Sequence, residues 1–389
     1  MRDAVICAAV RTPVGKRGGG LSGVHAVDLS AHALQALVER AGIDPAVIDD
    51  VHWGCVSQVG EQSNNVGRNA VLAAGWPESI PAFTLDRQCG SSQQTFHTAA
   101  AAVVSGQQDV VIAGGVEVMS RVPMGSSVGT GAGFPFGKAR DRYAEQLAGE
   151  GFNGVFNQGV GAELMAQKWG LSRTQLDEYA VRSHELAARA QDDGSFVEEI
   201  APVTVDKQQV ANDEGIRRGS TVDKLATLKT PFLANGVVSA GNASQISDGA
   251  AAVLVTTSEK AAELGLTPLA RLHSTTVVGA DPIMMLSGPI PATEAVLKRA
   301  GLGIDEIDAF EVNEAFASVP LAWLAETGAK LDKLNACGGA IALGHPLGGS
   351  GARLLTTLVH HLQRSGGRYG LQTMCEGGGM ANATIIERL

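Results

Sequence analysis

This chain has no CxxC pair, no apolar run near the roughly 18 residues that cross a bilayer, and no surplus of basic charge. Its five cysteines, Cys7, Cys55, Cys89, Cys337 and Cys375, are odd in number and widely scattered. That pattern speaks against a disulfide framework or a metal site, zinc included, and for a reducing, cytoplasmic compartment. Lys and Arg number 30 against 40 Asp and Glu, a net charge of -10, so nucleic acid and anionic membranes are poor partners. The opening MRDAVICAAVRTPVGK has an apolar stretch too short for a signal peptide and no small-residue cleavage site. It reads as a buried strand, and no membrane insertion is expected.

What the chain has in quantity is glycine, 49 residues in 389, alongside 44% hydrophobic and 18% charged residues. Such a balance describes a soluble α/β protein with many tight turns. A strand at Ala4 to Val10 precedes a helix from about Ala26 to Ala41, where Leu29, Ala33, Leu37 and Ala41 repeat every four residues. Asp44-Pro45 starts a helical turn and Asp50 to Val56 reads as a strand. An amide-rich loop, Glu61 to Asn65, then leads to a helix from about Val66 to Ala74. This alternation predicts a parallel or mixed sheet with helices on its faces.

From Met119 to Ala240 the pattern loosens. Gly125 to Gly137 is glycine-rich, Leu171 to Gln191 is helical, and Val205 to Thr230 is charged and irregular. This stretch reads as a subdomain inserted over a site. Gly241 to Thr256 is expected to form a loop, a small-residue helix and a strand. Then follow a strand at Ala270 to Val278, a helix at Pro291 to Ala300, a strand at Ile307 to Val312 and a helix at Asn313 to Leu324. The segments Gly90 to Gly115 and Gly348 to Gly378 share one order: glycine-serine loop, apolar helix, apolar strand, glycine pair. Duplicated halves facing each other bring their loops into one cleft.

Four residues on glycine-bordered loops carry the chemistry. His345 lies in GGAIALGHPLGGSG, where dense glycine marks a tight turn or close backbone approach, with Ser350 placed to cap the helix from Ala352 to Leu362. A lone histidine is commonly structural, but an imidazole in a backbone-lined pocket suits acid-base or oxyanion work. Cys89, in RQCGSS, precedes a helix ending at Gly106, and the helix dipole there favours a thiolate. His345 can take its proton. Cys375 in CEGGG can serve as acid-base partner, and Asn313 begins NEAFA. The alternative of two cysteines and a histidine forming a disulfide or holding a metal lacks the usual spacing.

The chain resembles the thiolases, acyl-CoA:acetyl-CoA acyltransferases, over its whole length. RTPVGK at Arg11, RQCGSS, GNASQISDGAAA at Gly241, NEAFA, GGAIALGHPLGGSG and CEGGGM carry the resemblance by their order and spacing. It implies an α/β fold of duplicated βαβαβαββ halves in five αβαβα layers, with halves at 1–265 and 266–389 and an inserted loop subdomain at about 119–244. It also implies ping-pong chemistry. Cys89 attacks a 3-ketoacyl-CoA, acetyl-CoA leaves with a proton from Cys375, and CoA collects the acyl group. His345 and a water held by Asn313 form one oxyanion hole; the N–H groups of Cys89 and Gly377 form the other. No cofactor is bound, CoA and acyl-CoA are the substrates, and the assembly is a homodimer or homotetramer.

For the neighbours, plainer roles compete with those implied. Ser244 matches a residue near the pantetheine amide or caps a helix, and Met285 lines the acyl pocket or fills core. Arg217, Arg218 and Lys224 meet the CoA phosphates or form a solvated charge run; Cys7, Cys55 and Cys337 read as buried small hydrophobes. Asn157-Gln158 replaces the His-Met of short-chain biosynthetic thiolases, Gln93-Gln94 replaces Gly-Leu, and Glu376 stands where an apolar residue is usual. These departures resemble thiolases of longer or bulkier chains, steroid side chains included. The alternatives are a biosynthetic acetoacetyl-CoA thiolase, a decarboxylating ketoacyl synthase, a cysteine hydrolase and a non-catalytic CoA or lipid carrier.

Overall fold

Every residue of the first strand is buried, and successive side chains enter different cores, which explains its uninterrupted apolar spelling. In the computed structural model, which describes residues 2–128 and 133–389, Val5–Arg11 (β1) sends Val5 and Val10 into one helix layer and Ile6 and Ala9 into another. A strand covered on both faces has no polar side to present.

The chain continues with Gly15–Lys16 (β2), Asp50–Gly54 (β3), Ala82–Leu85 (β4) and Val110–Val118 (β5). A long excursion holds the hairpin of Val203–Val205 (β6) and Gln208–Val210 (β7) before Ser247–Thr256 (β8) returns to the sheet. Ala270–Gly279 (β9), Ala309–Val312 (β10), Tyr369–Glu376 (β11) and Met380–Arg388 (β12) complete it. Strand order is β10-β11-β12-β9-β1-β8-β5-β3-β4, with β2 beside β8. From β1 the pairing runs antiparallel to β8, antiparallel to β5, then parallel to β3 and β4. From β9 it runs antiparallel to β12, antiparallel to β11, then parallel to β10. One plan is therefore built twice, and in the second copy the place of β4 shrinks to a single bridge between Phe310 and Leu334. The copies join edge to edge through Val5–Arg271 and Ile6–Ala270.

Helices Ala26–Ala41 and Val66–Ala73 cover the outer face of the first copy, burying Leu29, Leu34, Leu37 and Val71 against Val51, Trp53 and Leu254. Pro289–Ala300 and Ser318–Thr327 do the same for the second, with Val296 and Trp323 against Phe310 and Ile385. Between the copies lie Ser91–Ser105 and Ser350–Ser365, where Phe96, Val103, Leu355 and Leu362 meet the inner faces of both sheet halves. Helix, sheet, helix, sheet, helix is the five-layered arrangement. Each fully buried large apolar side chain contributes about 1.5–3 kcal/mol, so three stacked cores hold these layers together.

The structure corrects several local expectations. No helix forms within Gly241 to Thr256: SDGAAAVLVT is all strand, because small residues let β8 lie between β1 and β5 beneath the central helices. The helix expected from Asn313 begins at Ser318, since Asn313 N–H still donates to Thr373 O as an extension of the β10–β11 pairing. Ser350 is the first helical residue and caps nothing; its hydroxyl serves His345 instead. Strand β4 went unread, and β5 runs through its glycine pair to Val118. Gly125 to Gly137 lies partly outside the described residues. The excursion carries the helix Arg173–Asp192, and buried Arg11 ties it to β1 through Glu199 at 2.6 Å and Asp213 at 2.7 Å.

One glycine limits how closely the copies meet. A Cβ on Gly348 would lie 2.5 Å from Val116 O, 2.6 Å from Cys55 Cα and 2.8 Å from Gly54 O, all backbone atoms that cannot turn aside. Gly348→Ala is therefore expected to cost about 3 kcal/mol or more, read as a lower denaturant midpoint.

Candidate active site

The two central helices meet at their N-terminal ends, where Ala352 N–H donates to Ser92 Oγ at 2.9 Å. Cys89 lies two residues before one helix and His345 five before the other, so the duplication brings the two loops together.

Local hydrogen bonds fix the Cys89 loop. Gln88 takes the left-handed conformation at φ 50°, Asp86 Oδ1 accepts from Gln88 N–H at 2.6 Å, and Ser91 Oγ donates to Gln88 O at 2.6 Å. Cys89 is 7% exposed and packs with Met119, Leu347, Leu354 and Met374. Burial, with Glu376 and Asp86 nearby, pushes its thiol up to about 12, against a lowering by the backbone N–H groups of Cys89 itself and of Gly377. Those two N–H groups thus already converge on Cys89 Sγ. Cys375, at the end of β11, is fully buried, and burial and then the Cys89 thiol raise it well above the ordinary thiol value. Both sulfurs rest as neutral thiols.

His345, which lines a cavity together with the Leu347 that packs on Cys89, is 4% exposed, and burial, with Arg353 adding, lowers its pKa to about 3; the imidazole is neutral at physiological pH. Its Nδ1 lies 2.6 Å from Ser350 Oγ, which also donates to Pro346 O at 2.8 Å. With that proton on Pro346, Nδ1 carries the ring proton and Nε2 presents a lone pair. Nε2 faces Asn313 Nδ2 at 3.4 Å, while Asn313 Oδ1 has no protein partner. Two buried carboxylates brace these loops. Glu314 accepts from Tyr179, Ser183, Asn335 and Ile341 N–H at 2.6–3.1 Å. Glu117 accepts from Val56, Ser57, Gln62 and Gly348 at 2.6–3.1 Å.

A cavity of about 290 Å³ opens onto His345, lined also by Met119, Met124, Gln158, Ser244, Phe232 and Phe316. Ser244, Gln245 and Ile246 continue from it into a groove with Lys16, Arg17, Glu214 and Arg217. Ser244 therefore stands where cavity and groove join, and it caps no helix. Met285 is 5% exposed in the core cluster containing Cys375 and Ala381. Of the expected basic residues, Arg218 pairs with Asp192 at 2.7 Å, Lys224 donates to Gly219 O, and Arg217 alone borders the groove. Cys7, Cys55 and Cys337 are free and buried. Sequence reasoning missed the buried roles of Glu117 and Glu314, the service of Ser350 to His345, and the lining of Met119 and Phe232. A lone glutamate inside an apolar strand, as in VVIAGGVEV, was the available signal for Glu117.

Among known families, residues 4–259 match the thiolase N-terminal domain and residues 266–388 the thiolase C-terminal domain. A steroid 3-ketoacyl-CoA thiolase of Mycobacterium tuberculosis is 50% identical over 389 residues, covering 100% of this chain and 95% of the relative. A beta-ketoadipyl-CoA thiolase of Escherichia coli is 44% identical over 404 residues, covering 100% of both. The crystal structure of the Bacillus anthracis acetyl-CoA acetyltransferase superposes with a TM-score of 0.91 at 39% identity, covering 100% of this chain and 99% of that one. Human mitochondrial 3-ketoacyl-CoA thiolase gives 0.89 at 36% identity, with the same coverage of 100% and 99%. With both domain models matched from Ala4 to Arg388 and relatives aligned along its entire length, the chain belongs to the thiolase family of acyltransferases.

Proposed function

We propose that this chain cleaves 3-ketoacyl-CoA thioesters with CoA by ping-pong transfer through an acyl group on Cys89. The single observation that carries the reading is a buried thiol, Cys89, packed with Met119 and Leu347 of the cavity that neutral His345 also lines, with Cys375 electrostatically coupled to it.

His345 Nε2 takes the Cys89 proton as Sγ attacks the ketone carbon. Because both groups rest uncharged, negative charge passes through sulfur to the ketone oxygen, where the N–H groups of Cys89 and Gly377 receive it. The bond between the α-carbon and the former ketone carbon breaks. The acyl group stays on Cys89, and the acetyl-CoA enolate takes a proton from Cys375. His345 and a water on Asn313 Oδ1 stabilise that enolate oxygen. Incoming CoA gives its thiol proton to the Cys375 thiolate and attacks the acyl carbon; expelled Cys89 recovers its proton from His345. In the condensing direction Cys375 removes the methyl proton of acetyl-CoA.

Ser244, Lys16, Arg17 and Arg217 mark the course of the CoA chain from cavity to surface, and Met285 backs Cys375 from the core side. The acyl group is long or bulky. Phe232 and Phe316 pack edge-on at 6.0 Å beside the cavity, and Phe136, Tyr143 and Phe156 extend this aromatic wall outward. The similarity to a steroid 3-ketoacyl-CoA thiolase supports the same reading. The chain divides near residue 265, with an insert at about 119–244, and works in the cytoplasm as a homodimer or homotetramer. β4 leaves one sheet edge free to pair with a second copy.

The test combines acyl mapping with a substrate series. Acetyl label from acetyl-CoA is expected on Cys89 by peptide mass, and kcat/KM is expected to hold or rise from acetoacetyl-CoA toward medium-chain and ring-bearing substrates. A steep fall beyond acetoacetyl-CoA would favour a biosynthetic enzyme. Unlabelled Cys89 would favour a non-catalytic carrier, and free acid as product a hydrolase.

A further inference from the structure

Beside the two thiols lies a third ionisable group that none of these steps uses. Glu376 is wholly buried on β11, and neither carboxyl oxygen has a protein hydrogen-bond partner. The interface between β11–β12 and the Ser91–Ser105 helix holds other atoms of the same kind. Gln93 Oε1, Gln94 Oε1, Gln372 Oε1 and Asn382 Oδ1 are buried acceptors without partners. Several of the corresponding amide N–H groups are spent: Gln93 donates to Thr384 Oγ1 at 2.7 Å, Gln372 to Gly351 O at 2.8 Å, and Asn382 to Gly90 O at 3.1 Å. A Cβ on Gly90 would collide with Glu376 Oε1 and stand 2.9 Å from both side-chain termini of Asn382, so carboxyl and amide crowd the same point over Gly90. Beside the unpartnered Asn382 Oδ1 the arrangement calls for a donor, and a protonated carboxyl is one.

We propose that Glu376 is a positioning residue for the nucleophile. Its protonated carboxyl donates to Asn382 Oδ1 and, through the bond from Asn382 to Gly90 O, holds the Gly90–Ser91 peptide that follows Cys89 at the helix start; losing that proton weakens Cys89. Burial raises the carboxyl to about 8, Arg87 opposing and Asp86 adding to the shift, so the proton is held at neutral pH and leaves as pH climbs past that value. The other titratable groups around it are Cys89, Cys375 and, further along the helix, His97, which is neutral with a pKa near 3. A new negative charge beside Cys89 disfavours its thiolate, so ionisation acts against attack both by geometry and by repulsion. The inference rests on Cys89 being the nucleophile.

The experiment is iodoacetamide alkylation of Cys89, followed by peptide mass from pH 6.5 to 9.5, together with kcat/KM for thiolysis. Glu376→Gln keeps a donor and cannot ionise. Its ratio of alkylation rates at pH 9 and pH 6.5 is expected to exceed that of the unaltered chain by about fivefold, the size of a shift of roughly 0.7 in thiol pKa. Its kcat/KM is expected to lose the decline above pH 8. Glu376→Met, with neither donor nor charge, is expected to react more slowly throughout, and Asn382→Asp repeats the test should the methionine variant fail to fold. Parallel pH profiles for Glu376→Gln and the unaltered chain overturn the inference. Cys89 remaining unlabelled by acetyl-CoA overturns the nucleophile assignment instead.

Discussion

Cys89→Ala is expected to lower thiolysis by at least about 10⁴-fold and to leave no acyl group on the protein, because the neighbouring thiol, Cys375, serves as the acid-base partner. Cys375→Ala is expected to fall by about 10²–10⁴-fold, the range for a missing general acid, while still gathering acetyl label on Cys89 from acetyl-CoA. The two thiols thus separate by product rather than by rate alone. Their setting explains the division. Cys89 receives the Gly377 N–H and its own, which suits a sulfur that must carry charge into an adjacent oxyanion. Cys375 gains no such help beyond its own N–H and is held up by burial and by Cys89, which suits a sulfur that must hold a proton until a carbanion requires it. Equal loss of label in both variants would contradict this assignment.

His345→Ala is expected to cost about 10²–10³-fold in kcat with a smaller change in KM, as for loss of one oxyanion donor. Asn313→Ala is expected to behave alike at lower magnitude, and the double variant to fall short of the product of the two effects, since Nε2 and Nδ2 meet at 3.4 Å. The pH response distinguishes this histidine from an ordinary one. Its pKa is lowered to about 3, so it stays neutral down to roughly that pH and sets no acid limb in kcat/KM between pH 5 and 7. An acid limb near pH 6.5 that vanishes in His345→Ala would refute the burial argument.

Much of the site was legible because its chemistry is spelled in short, glycine-bordered strings. RQCGSS, NEAFA, GGAIALGHPLGGSG and CEGGG each hold one reactive side chain in a segment too poor in apolar bulk to be core. The repeated order of loop, helix and strand disclosed the duplication that makes their loops meet. Helix limits were also readable where amphipathic period and a glycine stop agreed, as at Ala26–Ala41 with Gly42 at φ 70°. Less legible were segments whose burial comes from the far half of the chain. SDGAAAVLVT has helix-like composition yet becomes the strand that β1 and β5 both need. Ala82–Leu85 is short and only half-buried, so its alternation is faint.

The sequence by itself determined the strand-helix alternation, the order shared by Gly90 to Gly115 and Gly348 to Gly378, and the candidate reactive side chains, because periodicity and loop composition are local properties; the five layers came with the resemblance to thiolases. Only the tertiary structure decided which loop faces which, that Ser350 serves His345 rather than a helix end, and that Glu376 lies unpartnered against Gly90. The last depends on atoms brought together from positions more than two hundred residues apart, as Asn382 and Gly90 are. Desolvation and hydrogen bonding act on that proximity, to which the linear order of residues is blind.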